Sequence, residues 1–570
     1  MSTDSQVDIQ ANSAPGENVL GDRAQDDSTQ VDSTQVDSTQ SPLLDMRNIH
    51  IEGFSDEQWH PIIKGVDLSL KRGQIMGLIG ESGAGKSTLG LAAMGFVRAG
   101  CRFTQGEVYF DGSDLLKLKD AQKRTLWGTR IAYVAQSAAA AFNPAHRLID
   151  QTIESANRSQ LRSEAESRQD AVGLFESLHL PEPNTIGQRY PHQVSGGQLQ
   201  RVMTAMAMSA RPDLIIFDEP TTALDVTTQV EVLASMREIV EQHNTAAIYI
   251  THDLAVVAQM ADVIKVLRFG EEVEQSETRT MLSSPKQAYT RSLWSVRSLE
   301  KPEQKGEDIV LSMQNISAAY GHVPVLHGVN INLPRGKTVA IVGESGSGKS
   351  TAARVITGLL PPNKGEVLFN GTPLPAELKD RTPEQLRQIQ MIYQMADTAM
   401  NPRQTVEQII GRPLELYHDL SGPKKAARIS ELLEMIELDE TFLDRLPSEL
   451  SGGQKQRICI ARALAANPDV IVCDEVTSAL DQIVQEGILK LLLRLQQEFG
   501  ISYLFITHDI ATVKAISDEI VVMYQGKVVE QGLKSEILTP PHPEYTELLL
   551  SSVPEMDPDW LTDLLGSRSS

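Results

Sequence analysis

The chain has 570 residues, too many for one ordinary domain, and 41% of them are hydrophobic, enough for more than one core. The formal net charge of −23 argues against a protein that binds nucleic acid through a broadly cationic surface. No secretory signal is visible, and no run approaches the roughly 18 apolar residues needed to span a bilayer, so we expect a soluble, cytoplasmic protein.

Residues 1–42 are predicted to be a disordered, acidic, low-complexity tail, because Ser, Thr, Gln and Asp dominate and the pentapeptide DSTQV is repeated. Further domain boundaries follow from shifts in composition. They delimit a first domain with a C-terminal extension at 43–297, a linker at 298–307, a second such domain at 308–555, and a flexible C-terminus at 556–570.

The two domains are an internal duplication, in which four segments recur in the same order. The repeated segments are GESGAGKST (80–88) and GESGSGKST (343–351), SGGQLQR (195–201) and SGGQKQR (451–457), IIFDEPTTALD (215–225) and IVCDEVTSALD (471–481), and ITHD (250–253 and 506–509). Short apolar runs with polar ends alternate with helical composition in each copy, which predicts an α/β fold with buried parallel strands.

The first repeated segment has the pattern Gly-x-x-x-x-Gly-Lys-Ser between a predicted strand and a predicted helix. Glycines let the backbone wrap a phosphate, the helix N-terminus attracts the same anion, the lysine reaches the β- and γ-phosphates, and the serine can ligate Mg²⁺. The predicted nucleotide-binding residues are Gly80, Glu81, Ser82, Gly83, Ala84, Gly85, Lys86, Ser87 and Thr88, and Gly343, Glu344, Ser345, Gly346, Ser347, Gly348, Lys349, Ser350 and Thr351.

An apolar strand ends in two acids in each copy, Asp218-Glu219 and Asp474-Glu475. The aspartate can hold Mg²⁺ through water, and the glutamate can orient or deprotonate the attacking water, as phosphoryl transfer requires. These strand ends follow a phosphate loop and precede a histidine at the end of another strand, which favours a catalytic role.

The segment Ser-Gly-Gly-Gln opens a helix in each copy and offers a second phosphate-facing surface. Its residues are Ser195, Gly196, Gly197 and Gln198, and Ser451, Gly452, Gly453 and Gln454. With this signature the chain resembles the ATP-binding-cassette family over roughly residues 44–555. The resemblance implies two tandem P-loop NTPase cassettes, each with a RecA-like core, an antiparallel β subdomain and an α-helical subdomain, which use ATP and Mg²⁺.

In that family two cassettes pack head to tail, and each ATP is held between the phosphate loop of one and the signature of the other. The resemblance therefore implies that the cassettes pair within this chain. It also makes Gln136 and Gln394 the Q-loop residues and Asp225 and Asp481 the D-loop residues. The catalytic residues implied are Glu219, His252, Glu475 and His508, and the Mg²⁺ ligands implied are Ser87, Gln136, Asp218, Ser350, Gln394 and Asp474.

An aromatic residue that stacks on adenine is expected before each phosphate loop. Tyr320 fits this role in the second half. Phe54 is the best match in the first half, although extra residues follow it, and Trp59 is the alternative.

Two features resemble the dipeptide, oligopeptide and nickel importers within the family: Asn-Pro at 143–144 and 401–402, and the tails at 284–296 and 540–554. The resemblance implies an ATPase subunit on the cytoplasmic face of a prokaryotic plasma membrane, with two permease subunits and an extracytoplasmic solute-binding protein as partners. Peptides are the expected solute, with nickel or another small solute as the alternative. The alternative class is a soluble tandem-cassette ATPase that acts on ribosomes or DNA, but we expect no nucleic-acid partner.

Overall fold

The computed structural model describes residues 41–55, 57–158, 162–221, 224–295, 299–478 and 480–569. Residues 1–40 of the predicted tail, and residue 298 of the predicted linker, lie outside this part. Pro42–Ser570 forms one compact unit. Within the described residues, no helix combines the length and apolarity needed to cross a membrane.

The first half contains strands β1 (Leu44–Ser55), β2 (Gln58–Leu70), β3 (Ile75–Ile79), β4 (Cys101–Phe110), β5 (Ser113–Asp114), β6 (Ile131–Val134), β7 (Leu214–Asp218), β8 (Ala246–Ile250), β9 (Val263–Arg268) and β10 (Glu271–Glu277). Its helices are α1 (Lys86–Ala92), α2 (Asp120–Leu126), α3 (Ala138–Ala141), α4 (Leu148–Thr152), α5 (Glu154–Arg158), α6 (Glu164–Ser177), α7 (Pro183–Ile186), α8 (Gly196–Met208), α9 (Val226–Gln242), α10 (Leu254–Met260), α11 (Thr278–Ser283) and α12 (Ala288–Ser295).

The second half contains strands β11 (Ile309–Tyr320), β12 (Val323–Pro334), β13 (Thr338–Val342), β14 (Lys364–Phe369), β15 (Thr372–Pro373), β16 (Ile389–Ile392), β17 (Val470–Asp474), β18 (Ser502–Ile506), β19 (Glu519–Tyr524) and β20 (Lys527–Leu533). Its helices are α13 (Lys349–Ile356), α14 (Pro383–Gln388), α15 (Ala396–Ala399), α16 (Val406–His418), α17 (Gly422–Met435), α18 (Gly452–Leu464), α19 (Gln482–Phe499), α20 (Ile510–Ile516), α21 (Lys534–Ile537), α22 (Glu544–Ser551) and α23 (Trp560–Ser569).

Each half is built around a six-stranded sheet, in the order β10-β9-β3-β8-β7-β6 and β16-β17-β18-β13-β19-β20. The strands are parallel except for the edge strands β10 and β20. Every residue of β3, β7 and β8 is buried, which explains their continuous apolar sequences. Loops that follow parallel strands meet at the carboxyl edge of the sheet, so the segments that follow β3, β6, β7 and β8 converge there.

An antiparallel sheet covers one side of each core, in the order β2-β1-β4-β5 and β12-β11-β14-β15. Both sheets carry a bulge at an asparagine with left-handed backbone, Asn48 (φ 48°) and Asn315 (φ 49°). Opposite the first bulge, a Cβ on Gly106 would lie 2.6 Å from the Asn48 carbonyl oxygen, so this position requires glycine. The matching bulges therefore give reference points for aligning the sequences of the two halves.

Helices α3–α8 and α15–α18 form the helical part of each half. Apolar residues of α4, α6 and α8 share one buried cluster with β7 and α9, and the corresponding cluster of the second half joins α16, α17 and α18 to α19. The long helices α8 and α18 begin at the Ser-Gly-Gly-Gln segments, so the packing of these clusters determines where those segments point.

The predicted linker lies along the second half. Residues 299–307 contain no helix or strand, but Leu299 packs against the second-half core. Lys301 Nζ donates a 2.5 Å hydrogen bond to Oδ2 of Asp518, a fully buried carboxylate. This buried ion pair holds the segment in place, so it differs from a free spacer.

The predicted flexible C-terminus also differs in the structure. Residues after Pro554 return to the first half, where α23 packs and Leu561 is fully buried in the cluster of α8 and α9. The buried amide of Gln259 fixes the crossing: Nε2 donates to the carbonyl oxygens of Glu555 and Asp557, and Oε1 accepts from the backbone N–H of Leu561. Apolar burial and backbone hydrogen bonds thus order a segment that has little structure-forming signal of its own.

We expect Leu561→Ala to destabilise the first half by about 2–4 kcal/mol, because it removes a fully buried side chain and leaves a cavity. Urea denaturation followed by tryptophan fluorescence measures this loss of stability as a lower midpoint of unfolding. The matched control is Leu565→Ala on the same helix, where the side chain is 38% exposed and the expected change is below about 0.5 kcal/mol. Equal midpoints for wild type and Leu561→Ala contradict the prediction.

Candidate functional site

The two Gly-x-x-x-x-Gly-Lys-Ser segments form loops between β3 and α1 and between β13 and α13. A Cβ on Gly80 would lie 2.2 Å from the carbonyl oxygen of Leu267, so the tight turn requires glycine there. Lys86 Nζ donates to the carbonyl oxygens of Gly80 and Glu81 at 2.8 and 2.9 Å, and Lys349 makes the same two contacts in the second half. Burial lowers the pKa of both lysines, although nearby carboxylates oppose that shift.

A serine hydroxyl and an aspartate carboxylate meet beside each loop. Ser87 Oγ donates to Asp218 Oδ1 at 2.8 Å, and Ser350 Oγ donates to Asp474 Oδ1 at 2.9 Å. Burial raises the pKa of the Asp474 carboxyl, and the Ser350 hydrogen bond acts against that rise. These oxygens are the hard ligands that suit Mg²⁺, so the residues present fit that ion.

Glutamate, glutamine and histidine side chains converge at the ends of β6, β7 and β8. Gln136 Nε2 donates to Glu219 Oε2 at 2.9 Å, and His252 Nδ1 lies 3.3 Å from Glu219 Oε1. In the second half, Gln394 Nε2 donates to Glu475 at 2.6 Å and His508 Nδ1 lies 3.7 Å from it. Each glutamate carboxylate therefore sits between an amide donor and an imidazole.

The backbone of both glutamates is left-handed, with φ at 50° for Glu219 and for Glu475. A non-glycine residue pays roughly 1–2 kcal/mol for this conformation, which recurs at functional sites. The strain is held by a hydrogen bond from the glutamate N–H to the last residue of the neighbouring strand, Ile250 or Ile506, at 2.9 Å.

The two histidines are tuned by these carboxylates. Burial alone would lower the pKa of His252, but the hydrogen bond and charge of Glu219 together raise it above its ordinary value, and Glu475 does the same for His508. Burial would raise the pKa of Glu475, but the hydrogen bond and charge of His508 hold it below its ordinary value. The pair therefore favours a charged carboxylate next to an imidazole that protonates readily.

The Ser-Gly-Gly-Gln segments present exposed helix N-termini. Ser195 caps α8 by accepting the Gln198 N–H at 3.2 Å, and Ser451 caps α18 in the same way at 3.3 Å. Gly452 lies beside Leu480, since a Cβ on this glycine would be 3.7 Å from the leucine side chain. The signature thus packs next to the segment that leads into Asp481.

Hydrogen bonds connect the halves at these loops. The backbone N–H of Ser82 donates to Asp481 Oδ2 at 3.3 Å, and Thr227 Oγ1 donates to Glu344 Oε1 at 2.9 Å. A cavity of 580 Å³ next to the second loop is lined by Asp225 from the first half and by Lys349, Glu475 and His508 from the second. Each phosphate loop therefore lies against the Asp225 or Asp481 segment of the opposite half.

The predicted adenine-stacking residues occupy unequal positions. Tyr320 is 41% exposed at the end of β11, and its hydroxyl accepts a 2.9 Å hydrogen bond from Arg354 of α13. Counted from the asparagine bulges, Gly53 is the counterpart of Tyr320: it pairs with His60 as Tyr320 pairs with Val323.

Phe54 comes one residue later, and successive strand side chains point to opposite faces, so Phe54 does not share the strand position of Tyr320 and its stacking role stays a prediction. It contacts Trp59, with ring centroids 5.3 Å apart, and the Arg102 guanidinium lies 3.9 Å above the Trp59 ring. The longer β1–β2 hairpin explains the difference, because it adds two residue pairs beyond Gly53, Phe54 with Trp59 and Ser55 with Gln58.

Comparisons with known proteins match both halves of this arrangement. The ABC transporter family matches residues 63–222 and 326–478, which include both phosphate loops and both acidic strand ends. The chain belongs to the ABC transporter family. The family described as the oligopeptide/dipeptide transporter C-terminal region also matches residues 529–569.

Individual proteins are also similar to this chain. The chain is 36% identical over 561 residues to the glutathione import ATP-binding protein GsiA of Escherichia coli O157:H7, covering 90% of each protein. The protein of the same name from Escherichia coli strain K12 is equally similar, at 36% identity and 90% coverage of each. The solved structure of cbiO1 from Clostridium perfringens, part of the ABC transporter complex cbiONQ, has 31% identity and a TM-score of 0.37, over 40% of this chain and 91% of that one.

The family membership confirms the predicted fold of two tandem α/β cassettes and the resemblance on which it was based. As a family member the chain is an ATP-binding protein that hydrolyses ATP. The roles of individual residues stay predictions. One contact that the sequence gave no reason to expect is Tyr133, whose hydroxyl donates to Asp218 Oδ2 at 2.5 Å.

Proposed function

We propose that this chain is the ATP-hydrolysing subunit that energises the import of di- or oligopeptides, or of a related small solute, through a partner membrane permease. The observation that carries the proposal is that both cassettes keep a full set of loop lysine, strand-end acids and histidine on a chain whose tail matches the oligopeptide/dipeptide transporter region.

ATP binding starts from the phosphate loop. Lys86 and Lys349 exchange their bonds to loop carbonyl oxygens for the β- and γ-phosphates, while backbone N–H groups and the N-termini of α1 and α13 hold the same anion. Ser87 with Asp218, and Ser350 with Asp474, would hold Mg²⁺, and Gln136 and Gln394 would complete the ligand set. Bound Mg²⁺ supplies neutralisation of the phosphate charge.

Hydrolysis is assigned to the glutamates. Glu219 and Glu475 accept a proton from the attacking water or orient it, and an imidazole lies beside each carboxylate. His252 and His508 steady the carboxylate and respond to the γ-phosphate. Gln136 and Gln394 bond to the same carboxylates and begin the segments that lead into the helical parts of each cassette.

Each ATP is proposed to lie between two cassettes of the same chain. Lys86 and Glu219 would face the Ser451 signature, and Lys349 and Glu475 would face the Ser195 signature. The contacts of Ser82 with Asp481 and of Thr227 with Glu344 support this pairing, because they bring each phosphate loop to the opposite cassette. ATP then favours the closed pair, and hydrolysis releases it, as a ligand-biased two-state element requires.

The partners in this proposal are two permease subunits, which place the chain on the cytoplasmic face of a prokaryotic plasma membrane, and an extracytoplasmic solute-binding protein. Similar proteins are named for glutathione import, and glutathione is a small peptide, which supports a peptide cargo. Nickel and other small solutes are the alternative cargo.

The test is uptake by cells that lack the gene for this chain, supplied with wild type or with the Glu219→Gln, Glu475→Gln variant. Labelled dipeptides, an oligopeptide, glutathione and nickel are offered separately. We expect one peptide to enter only with the wild-type chain, and detergent extracts of these cells to yield the chain together with membrane proteins. Copurification with ribosomes or DNA, without uptake of any solute, would instead support the alternative class.

A further inference from the structure

The tail that follows each cassette contacts the phosphate loop of that cassette. In helix α12 the hydroxyl of Tyr289 accepts a 3.2 Å hydrogen bond from the backbone N–H of Glu81. In helix α22 the hydroxyl of Tyr545 accepts the same bond from Glu344 at 2.9 Å. Because the contact occurs at the same loop position in both halves, it is a feature of the duplicated cassette and not a coincidence of one half.

Each tyrosine ring is also fixed in place. The Arg268 guanidinium lies 4.4 Å from the centroid of the Tyr289 ring, and the Tyr524 ring stacks on Tyr545 at 4.1 Å. Arg268 and Tyr524 are the last residues of β9 and β19, the strands whose ends touch the first glycine of each phosphate loop. Both tyrosines are only 9% exposed, so their hydroxyls are held against the loop by packing on all sides.

The same helices reach the opposite cassette. Leu549 and Tyr545 of α22 share a buried cluster with Val226, which directly follows Asp225 of the first cassette. Tyr289 and Leu293 of α12 share a cluster with Ile483, which comes just after Asp481 of the second cassette. Each tail helix therefore lies between the phosphate loop of its own cassette and the D-loop segment of the other.

We propose that α12 and α22 are positioning elements of the two nucleotide sites, in which Tyr289 and Tyr545 hold the phosphate loop in its wrapped form and place it against the opposite D-loop segment. The inference depends on the ATPase function proposed above and deepens it. Neither tyrosine is a catalytic residue, since each acts through the loop backbone. The role gives the oligopeptide/dipeptide transporter tail a task inside the ATPase itself.

The proposal predicts a specific kinetic signature for Tyr289→Phe and Tyr545→Phe. Loss of the hydroxyl leaves a loop N–H without its acceptor, so a smaller fraction of loops is wrapped and ready to bind ATP. The apparent affinity for ATP falls in proportion to that fraction, and saturating ATP restores the rate of hydrolysis. We expect KM for ATP to rise by about 3–10-fold in each variant, with kcat changed by less than about two-fold.

The matched control is Tyr503→Phe, which removes a buried hydroxyl that has no hydrogen-bond partner among the described residues. We expect its KM to equal that of wild type. All variants are full-length chains, checked first for unchanged melting temperature. Wild-type KM in both tail variants overturns the inference, as does an equal rise in Tyr503→Phe, whereas a wild-type chain that does not hydrolyse ATP counts against the proposed function instead.

A second measurement tests whether a tail helix connects the phosphate loop of its own cassette to the D-loop segment of the other. It uses a variant of that D-loop segment in addition to the tyrosine variants. Val226→Ala removes packing against α22, so combined with Tyr545→Phe it should raise KM by less than the product of the two single effects. Combined with Tyr289→Phe, which concerns the other site, the effects should multiply. Multiplication in both pairs overturns the link between tail helix and opposite D-loop.

Discussion

Replacement of both Glu219 and Glu475 by glutamine should lower steady-state ATP hydrolysis by at least about 100-fold and leave ATP binding intact. Glutamine keeps the size of the side chain and can still accept a hydrogen bond, but it cannot take a proton from water. The purified full-length variant should therefore retain radiolabelled ATP without releasing phosphate. A phosphate-release assay and a filter-binding assay on the same sample measure the two quantities.

The geometry explains why a large effect is expected when only one carboxylate oxygen is replaced by an amide nitrogen at each glutamate. Each carboxylate sits on a strained, left-handed backbone that aims it past the end of β7 or β17, and each has a glutamine amide and an imidazole as neighbours. Such strain is retained where the rest of the fold holds the group in one place. The single variants Glu219→Gln and Glu475→Gln separate the contributions of the two sites.

The matched control exchanges two other glutamates on the helices that follow the same strands. Glu238 of α9 and Glu498 of α19 are exposed, and their replacement by glutamine removes the same two charges from the chain. We expect wild-type hydrolysis from this control. Normal phosphate release from the Glu219→Gln, Glu475→Gln chain would contradict the catalytic assignment of both residues.

The sequence was sufficient for the parts of the site that depend on local order. A buried parallel strand must end at the carboxyl edge of its sheet, so the placement of the phosphate loops, Asp218-Glu219 and His252 together follows from topology alone. Because each motif occurs in both halves, each inference could be checked on a second copy that must satisfy the same geometry.

Sequence reasoning failed where distant packing decides. The C-terminal residues are ordered by Gln259, which lies 302 residues before Leu561, and by burial of Leu561 in the first cassette. A short segment of this kind is not helical without tertiary contacts. The hydrogen bonds of the tail tyrosines likewise join groups that no spacing rule connects.

In the proposed arrangement each nucleotide site combines residues of both cassettes. Two double variants with the same kinds of substitution should therefore behave differently. Lys86→Ala damages the first phosphate loop, and an arginine at a signature serine fills the approach to a helix N-terminus and removes its cap. If signatures serve the opposite cassette, Lys86→Ala with Ser451→Arg damages one site twice. Lys86→Ala with Ser195→Arg damages both sites once.

The two variants should differ in how many ATP molecules they bind. Equilibrium dialysis with radiolabelled ATP, in the Glu219→Gln, Glu475→Gln background so that nothing is hydrolysed, counts them. We expect about one bound ATP per chain for the Ser451→Arg variant and almost none for the Ser195→Arg variant, because loss of a buried charge-assisted contact to phosphate costs about 1.5–3 kcal/mol, or roughly ten- to 100-fold in affinity.

The reverse result would mean that each signature serves the phosphate loop of its own cassette. Loss of capping cannot imitate either outcome, since Ser195 and Ser451 cap α8 and α18 with nearly equal hydrogen bonds and both variants lose one of them. The contacts of Asp481 with the first loop and of Thr227 with the second already bring each loop to the opposite half. Because Gly452 packs beside Leu480, the second signature travels with the Asp481 segment, and it should therefore complete the site that Lys86 begins.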